Sequence, residues 1–214
     1  MDIYLSSAYL APVEYYAKFL VADKIFIEQH DNYVKQTYRN RCTIAAANGL
    51  MPLSVPVEHS SGAKTAMKDI RIAEHGNWRH LHWNAIVSAY NSSPFFEYYQ
   101  DDFYPFYHRK FEFLIDFNEG LQQIILELLN VDCPPLVYTD RYKLDFDAHE
   151  IDLRDVIHPK KDWRLTDPDF ISVPYYQVFE QKFGFQENLS ILDLLFNMGN
   201  ESLLVLIQSN VKAK

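Results

Sequence analysis

The sequence predicts an α+β fold: an N-terminal β-α-β unit and a β-hairpin form a mixed sheet, followed by a largely helical middle and C-terminus. Three observations carry this reading. Extended apolar segments at Ile3 to about Leu10 and at Lys24–Ile27 flank a stretch whose Val13, Tyr16, Ala17, Leu20 and Val21 share one helical face. Asn48-Gly49, whose residues both accept positive φ, sits between two strand-like runs, Arg41–Ala47 and Leu50–Val57. From Asn77 onward most apolar positions recur at helical spacing. With no internal repeat and no convincing linker, residues 1–214 read as one domain.

Each element has a local cause. Pro12 stands where a first helical residue tolerates it, and the helix after it is long enough to return the next strand parallel. Pro52 and Pro56 cannot donate to a ladder, which places the second hairpin strand at an edge. Beyond the polar loop EHSSGAKTAMK, Ile70 and Ile72 alternate with Asp69 and Arg71 as in a half-buried strand, Asp69–Ala73. Asn77 is the expected N-cap of a helix carrying Trp78, Leu81, His82, Ala85, Ile86 and Ala89 on one face. Ser93-Pro94 restarts an aromatic helix that Pro105 is expected to end. Asp116 and Glu119 form an Asp variant of the capping box ahead of Leu121, Ile124, Ile125, Leu128 and Leu129, and Pro134-Pro135 stops that helix. Leu136–Thr139 reads as a strand, residues 140–170 as mostly irregular with a short strand near Ile151–Val156, and Tyr175–Phe183 as a short helix closed near Gly184. Ser190 with Asp193 caps ILDLLFNM, which Gly199 ends before ESLLVLIQ.

Composition removes several classes. The chain has 214 residues, 29 acidic against 20 basic, a net charge of −9, and 15 Phe, 15 Tyr and 3 Trp with only 6 Gly. A chain of this length can bury roughly 70% of its unfolded surface, and its aromatic content opposes disorder and low complexity. The acid excess, without a long Lys/Arg run, speaks against nucleic acid or an anionic membrane surface as main partner. No apolar run approaches the roughly 20 residues that span a bilayer. Cys42 and Cys133 lie far apart, outside any Cys/His ligand spacing, and MDIYLSSAYLAPVEYY lacks a basic start. The expectation is a cytoplasmic protein with no structural metal, no cofactor and no membrane insertion.

The candidate chemistry is concentrated in HDNYVKQTYRNR, His30 to Arg41, which places one Lys, two Arg, a His and two Tyr between a strand and the hairpin. If it lies at the carboxyl edge of the β-α-β unit, where open sheets bind ligands, Lys35, Arg39 and Arg41 can hold a phosphate or carboxylate. The bland alternative is that the arginines pair with neighbouring acids and clamp the hairpin. His80 and His82 diverge by about 200° on a helix and cannot share one metal ion. His82 falls on the apolar face and reads as a core histidine or, less blandly, a general base. SSGAKT, Ser60 to Thr65, has the tail of a phosphate-binding loop without its first glycine, so that motif is rejected. The ring series from Phe95 to Phe113 reads as core, as a docking face for a protein partner or a second copy, or as a stacking wall.

In order along the chain, AYLAPVEYYAKFL, HDNYVKQTYRNRCTI, LSVPVE, KDIRI, HWNAIVSAYNSSPFFEYY, YYQVF and LSILDLLFNMG resemble the WbqC-like family, in the version common among Bacteroidetes. The resemblance spans nearly the whole chain. It implies a place in O-antigen or other surface polysaccharide biosynthesis, where transfer of a glycine or similar group to a sugar has been proposed. The commoner family pattern has Gln-Pro-Tyr near the start and Asp-x-x-Gln-Tyr before the Asn-Arg element. Here Ser7-Ala8-Tyr9 and Gln29-His30-Asp31-Asn32-Tyr33 stand instead. The resulting expectation is an acyl or aminoacyl transferase acting on a nucleotide- or carrier-linked sugar. Tyr33, Lys35, Arg39, Asn40 and Arg41 would bind a small or sugar-linked anionic substrate, and His30 or His82 would serve as general base. The rival is a non-catalytic scaffold of a polysaccharide assembly machinery that docks through residues 95–113; a small-ligand sensor is the third reading.

Overall fold

The computed structural model describes residues 1–58 and 64–211. Most of the SSGAKT loop lies outside the described residues. The strands are β1 (Asp2–Ser6), β2 (Lys24–Glu28), β3 (Arg41–Ala46), β4 (Gly49–Ser54), β5 (Leu136–Tyr138) and β6 (Glu150–Asp152). The helices are α1 (Val13–Ala17), α2 (Trp78–Tyr90), α3 (Phe96–His108), α4 (Leu114–Leu128), α5 (Trp163–Thr166), α6 (Glu180–Phe183), α7 (Ile191–Met198) and α8 (Ser202–Gln208). Parallel and antiparallel strands are both present, and the fold is α+β.

The parallel strands run in the order β5-β2-β1-β6, with Asp2 to Ser6 in register with Lys24 to Glu28. The chain steps outward from β1 to β2 to β5 and then returns to the other side of β1 as β6, so the strand order reverses between β1 and β6. The hairpin β3–β4 forms its own antiparallel ladder, closed at Asn48-Gly49, where Gly49 has φ +109°. Ile3, Leu5, Ile25 and Ile27 are buried in the main core with Tyr15, Tyr16 and Phe19. On the opposite face Tyr4 stacks on Phe26, ring centroids 4.5 Å apart, and Phe146 meets Tyr4 edge-on. A parallel sheet is ordinarily covered on both faces; beside Phe146, the irregular segment after β5 supplies that cover.

Several local expectations change. Asp69–Ala73 is no strand: Met67–Asp69 forms a 3-10 turn, and Arg71 and Ile72 make single bridges to two different partners, Phe113 and Val57, so no ladder can extend. α3 runs through Pro105 to His108. Pro105 is solvent-exposed, so water can satisfy the carbonyl one turn earlier that loses its intrahelical donor. α4 starts at Leu114, because Leu114, Ile115 and Phe117 already bury their side chains, and Asp116 sits in its first turn as an acid at the positive end of the helix dipole. Of Tyr175–Phe183 only Glu180–Phe183 is helical, since Tyr175 and Gln177 reach across to Asp193. Ser190 does cap α7, its Oγ accepting from Leu192 N at 3.4 Å.

The stretch Ile191–Gln208 has the length and composition to cross a membrane, yet 61% of it is buried inside the protein. It also breaks at Gly199, whose φ of +54° and approach to the Phe95 ring, 2.5 Å from an ideal Cβ, exclude a side chain.

Candidate functional site

The carboxyl ends of β1, β2 and β6 meet in a buried charge network. Glu28, the last residue of β2, is completely buried. Its Oε1 accepts from the Thr139 hydroxyl and the His30 backbone N–H, both at 2.8 Å, and its Oε2 accepts from Arg154 Nη1 at 2.7 Å. Arg154, 5% exposed, follows β6 and also donates to both carboxylate oxygens of Asp152 and to the Lys143 carbonyl. Its guanidinium lies over the Tyr142 ring, 4.4 Å from the centroid. The Ser6 hydroxyl, at the end of β1, donates to the Arg154 carbonyl at 3.0 Å, which joins the two strands between which the order reverses.

Arg39, 4% exposed, enters from the turn before the hairpin. Its Nε donates to Asp31 Oδ2 at 3.1 Å, Nη2 contacts the same oxygen, and Asp155 Oδ1 lies 3.8 Å away. Asn118 on α4 fixes this turn by donating to the Arg39 carbonyl at 2.8 Å and to Ser7 Oγ at 3.1 Å. Asp31 Oδ1 is buried without a hydrogen-bond partner, and burial pushes the Asp31 carboxyl up while Arg39 pulls it back.

These side chains wall a cavity of about 350 Å³, lined by His30, Asp31, Arg39, Tyr142, Arg154 and Asp155 with Asn32 and Val34. Its position is the one open parallel sheets reserve for ligands, outside the carboxyl ends at the point of strand-order reversal. Two guanidiniums here face four carboxylates, those of Glu28, Asp31, Asp152 and Asp155. Among the described residues no three His, Cys, Asp or Glu groups converge as a metal ion requires.

The expected site residues divide into three groups. His30 and Arg39 line the cavity, and Lys35 is exposed and follows the lining residue Val34 without lining the cavity itself. Tyr33, Asn40 and Arg41 gather instead at the root of the hairpin, where Asn40 Nδ2 donates to the Val55 carbonyl at 2.8 Å and Arg41 Nε to Ser54 Oγ at 3.0 Å. Tyr33 is half-buried there, its phenol pushed up by burial. His82 is away from the cavity, buried in the helical core, with Nδ1 2.9 Å from the Tyr9 hydroxyl, which is 2.8 Å from that of Tyr107. Burial lowers His82 to about 4, so it is neutral at pH 7. Glu28, Asp31, Ser7, Asn118, Thr139 and Arg154 were not expected. Glu28 did leave a trace, an acid closing the apolar strand KIFIE; Arg154 left none in its irregular segment.

Residues 7–204 match the WbqC-like protein family. The chain belongs to that family. The uncharacterised protein Rv1507c of Mycobacterium tuberculosis (strain ATCC 25618 / H37Rv) is 26% identical over 223 residues, covering 92% of this chain and 94% of that protein. No solved structure matches the chain. Ser7-Ala8-Tyr9 and Gln29–Tyr33 directly follow β1 and β2. Both therefore lie at the sheet edge that carries the cavity.

Proposed function

We propose that this WbqC-like protein is a cytoplasmic group-transfer enzyme of surface polysaccharide biosynthesis, acting on a nucleotide- or carrier-linked sugar at the carboxyl-edge cavity. The observation that carries this reading is the meeting of His30 with two buried guanidiniums, Arg39 and Arg154, where the strand order reverses. His30 takes the proton of an incoming hydroxyl or amine as that group bonds to the acyl carbon of the donor, whose leaving group departs with the electrons of the broken bond. Arg39 Nη1 makes no hydrogen bond among the described residues and is the donor left for a substrate carboxylate or phosphate, with Lys35 exposed beside the lining residue Val34. The excess of carboxylates favours an acceptor rich in N–H and O–H donors, as an amino sugar is. Tyr33, Asn40 and Arg41 support the loop that presents Arg39.

The scaffold alternative draws less support. In the segment 95–113, Phe96, Phe103, Phe106 and Tyr107 are buried in the core, leaving Tyr98 and Tyr104 as its exposed rings.

A panel of nucleotide sugars and acyl donors, followed by thermal shift and by mass spectrometry of products, tests the reading. His30→Asn is expected to keep the binding shift and to slow turnover by about 10²–10⁴-fold, the usual contribution of a general base. Undiminished turnover in His30→Asn removes His30 from the chemistry, and a panel with neither shift nor product favours the scaffold.

A further inference from the structure

A second cavity, of about 340 Å³, lies beside the β1–β6 side of the sheet, against the 3-10 turn Lys18–Leu20, and shares no lining residue with the cavity at the carboxyl edge. Its walls are aliphatic, with Ile3, Val21, Ile151 and Leu153 prominent among them. One end is polar and formed by Lys18, Asp167, Asp169 and Asn210. A concave, largely apolar space with a few convergent polar groups is the usual form of a small-molecule site, and the volume falls in the range of about 300–1,000 Å³ such sites occupy.

The polar end is short of positive charge. Lys18 and Asp167 form an ion pair at 2.5 Å with side chains only 4% and 5% exposed. Glu14, 2% exposed and one helical turn before Lys18, adds a second carboxyl adjacent to Asp167. Two carboxyls thus share one ammonium in a region screened from water, an arrangement that is costly unless a further cation or proton completes it. Burial first, with the Asp167 carboxylate adding to it, pushes Glu14 up to about 7.

Hydrogen bonding is deficient in the same sense. Asn210 gives its amide hydrogens to the carbonyls of Ala17 and Leu206, both at 3.0 Å, and leaves its own Oδ1 buried with no donor. Glu14 Oε1 is likewise a buried acceptor without a donor. Glu14 stands behind the lining and its other oxygen already accepts from Asn188 Nδ2 at 2.9 Å, so it is the bare Asn210 Oδ1, on a residue of the cavity wall, that calls for an N–H or O–H group from elsewhere.

We propose that this cavity binds a small primary amine, its ammonium at the Asp167–Asn210 end and its apolar body against Ile3, Val21, Ile151 and Leu153. A protonated amine supplies the two things the corner lacks, one positive charge and N–H donors. Aliphatic walls give a sugar or a nucleotide no partners for its hydroxyls, so this ligand is not the substrate of the carboxyl-edge cavity, and the inference stands independently of the group-transfer reading.

The test is a set of melting curves of the full chain at pH 7 with n-hexylamine, hexan-1-ol and hexanoate, at matched ionic strength. Hexylamine is expected to raise the melting temperature by roughly 5 °C at a hundredfold excess over its Kd, while the alcohol and the acid leave it unchanged. Equal shifts from all three, or no shift from the amine, overturn the proposal. Val21→Phe fills the half-buried wall without touching the ion pair and is expected to abolish the amine shift with little change in the unliganded melting point. A full amine shift in Val21→Phe places the amine elsewhere and overturns the assignment. Leu20→Phe, which fills the same space from the neighbouring position, serves if Val21→Phe does not fold.

Discussion

Glu28 and Asp193 are carboxylates of nearly equal burial, 0% and 1% exposed, held by opposite means. Glu28 faces the guanidinium of Arg154 in a network of full charges. Asp193, on α7, accepts only from neutral groups: Tyr90 OH at 3.0 Å, Tyr175 OH at 2.9 Å and Gln177 Nε2 at 2.8 Å. The first arrangement borders a cavity and the second lies inside packed helices and loops. The contrast separates a charged network bordering a cavity from a neutral one that ties α7 to α2 and to the segment before α6.

Removing Arg154 breaks the charged region most severely. In Arg154→Met, Glu28 and Asp152 lose their cation while Glu28 stays enclosed, and the expected loss is about 3–5 kcal/mol, the cost of stranding one partner of a buried pair. Chemical denaturation at pH 7 measures it. Arg154→Lys, which keeps a cation there, is expected to lose less. Equal deficits in the two variants would mean that contact of the planar guanidinium with the Tyr142 and Phe146 rings matters more than its charge.

Asp193 responds to pH in the opposite direction from an ion-paired carboxylate. Burial raises it to about 6 from an ordinary value of 3.8, with its three donors only partly offsetting the rise. The native state therefore holds a proton that the unfolded chain releases from about pH 4 upward. The contribution of Asp193 to stability is full below its unfolded value and is lost as the pH rises to about 6, by an amount on the order of 3 kcal/mol. Asp193→Asn cannot titrate, so the wild-type-minus-variant stability difference should fall between pH 4 and pH 6 and be flat above. A flat difference throughout would show that the three donors offset burial completely.

The two regions also differ in how far the sequence disclosed them. The β-α-β opening, the Asn48-Gly49 hairpin, the span of α2 and the Ser190 cap follow from local rules that act within one or two turns of chain, whereas on α2 itself Asn77 makes no side-chain cap and Leu81, expected on the buried face, is exposed. Pro105 and the Asp116–Glu119 pair misled because local propensity yields when neighbouring side chains are already buried. At the site, Arg39 and His30 were legible as a cationic cluster in an acidic chain, but the cluster splits: Arg39 turns towards the sheet edge and Arg41 towards Ser54. Glu28 and Arg154 are 126 positions apart, and no short-range pattern can pair residues brought together only when β6 returns beside β1.

The two histidines restate the comparison at smaller scale. His82→Ala leaves the Tyr9 hydroxyl with one partner fewer in a buried core, at an expected cost of about 1–3 kcal/mol. His30→Ala, at the cavity wall, should stay within about 0.5 kcal/mol of wild type, as surface changes usually do. Equal losses in urea denaturation would make His30 as structural as His82 and would weaken its role as base.

The smallest effect is expected at Tyr98, which is 76% exposed on α3 while its neighbours Phe96 and Phe103 are buried. A ring this exposed, tilted against Phe95 with centroids 6.3 Å apart, contributes little to folding, so Tyr98→Ser should change stability by less than about 0.5 kcal/mol. What it can change is association. If residues 95–113 carry a docking face, Tyr98 and Tyr104 are the rings available to it, because the buried ones are already committed to Phe196, Phe117 and Trp83. Sedimentation velocity of wild type and Tyr98→Ser over a range of concentrations separates the cases. A concentration-dependent dimer that Tyr98→Ser weakens would turn α3 from core wall into interface, whereas two identical monomer profiles would leave the carboxyl edge as the better-supported functional surface.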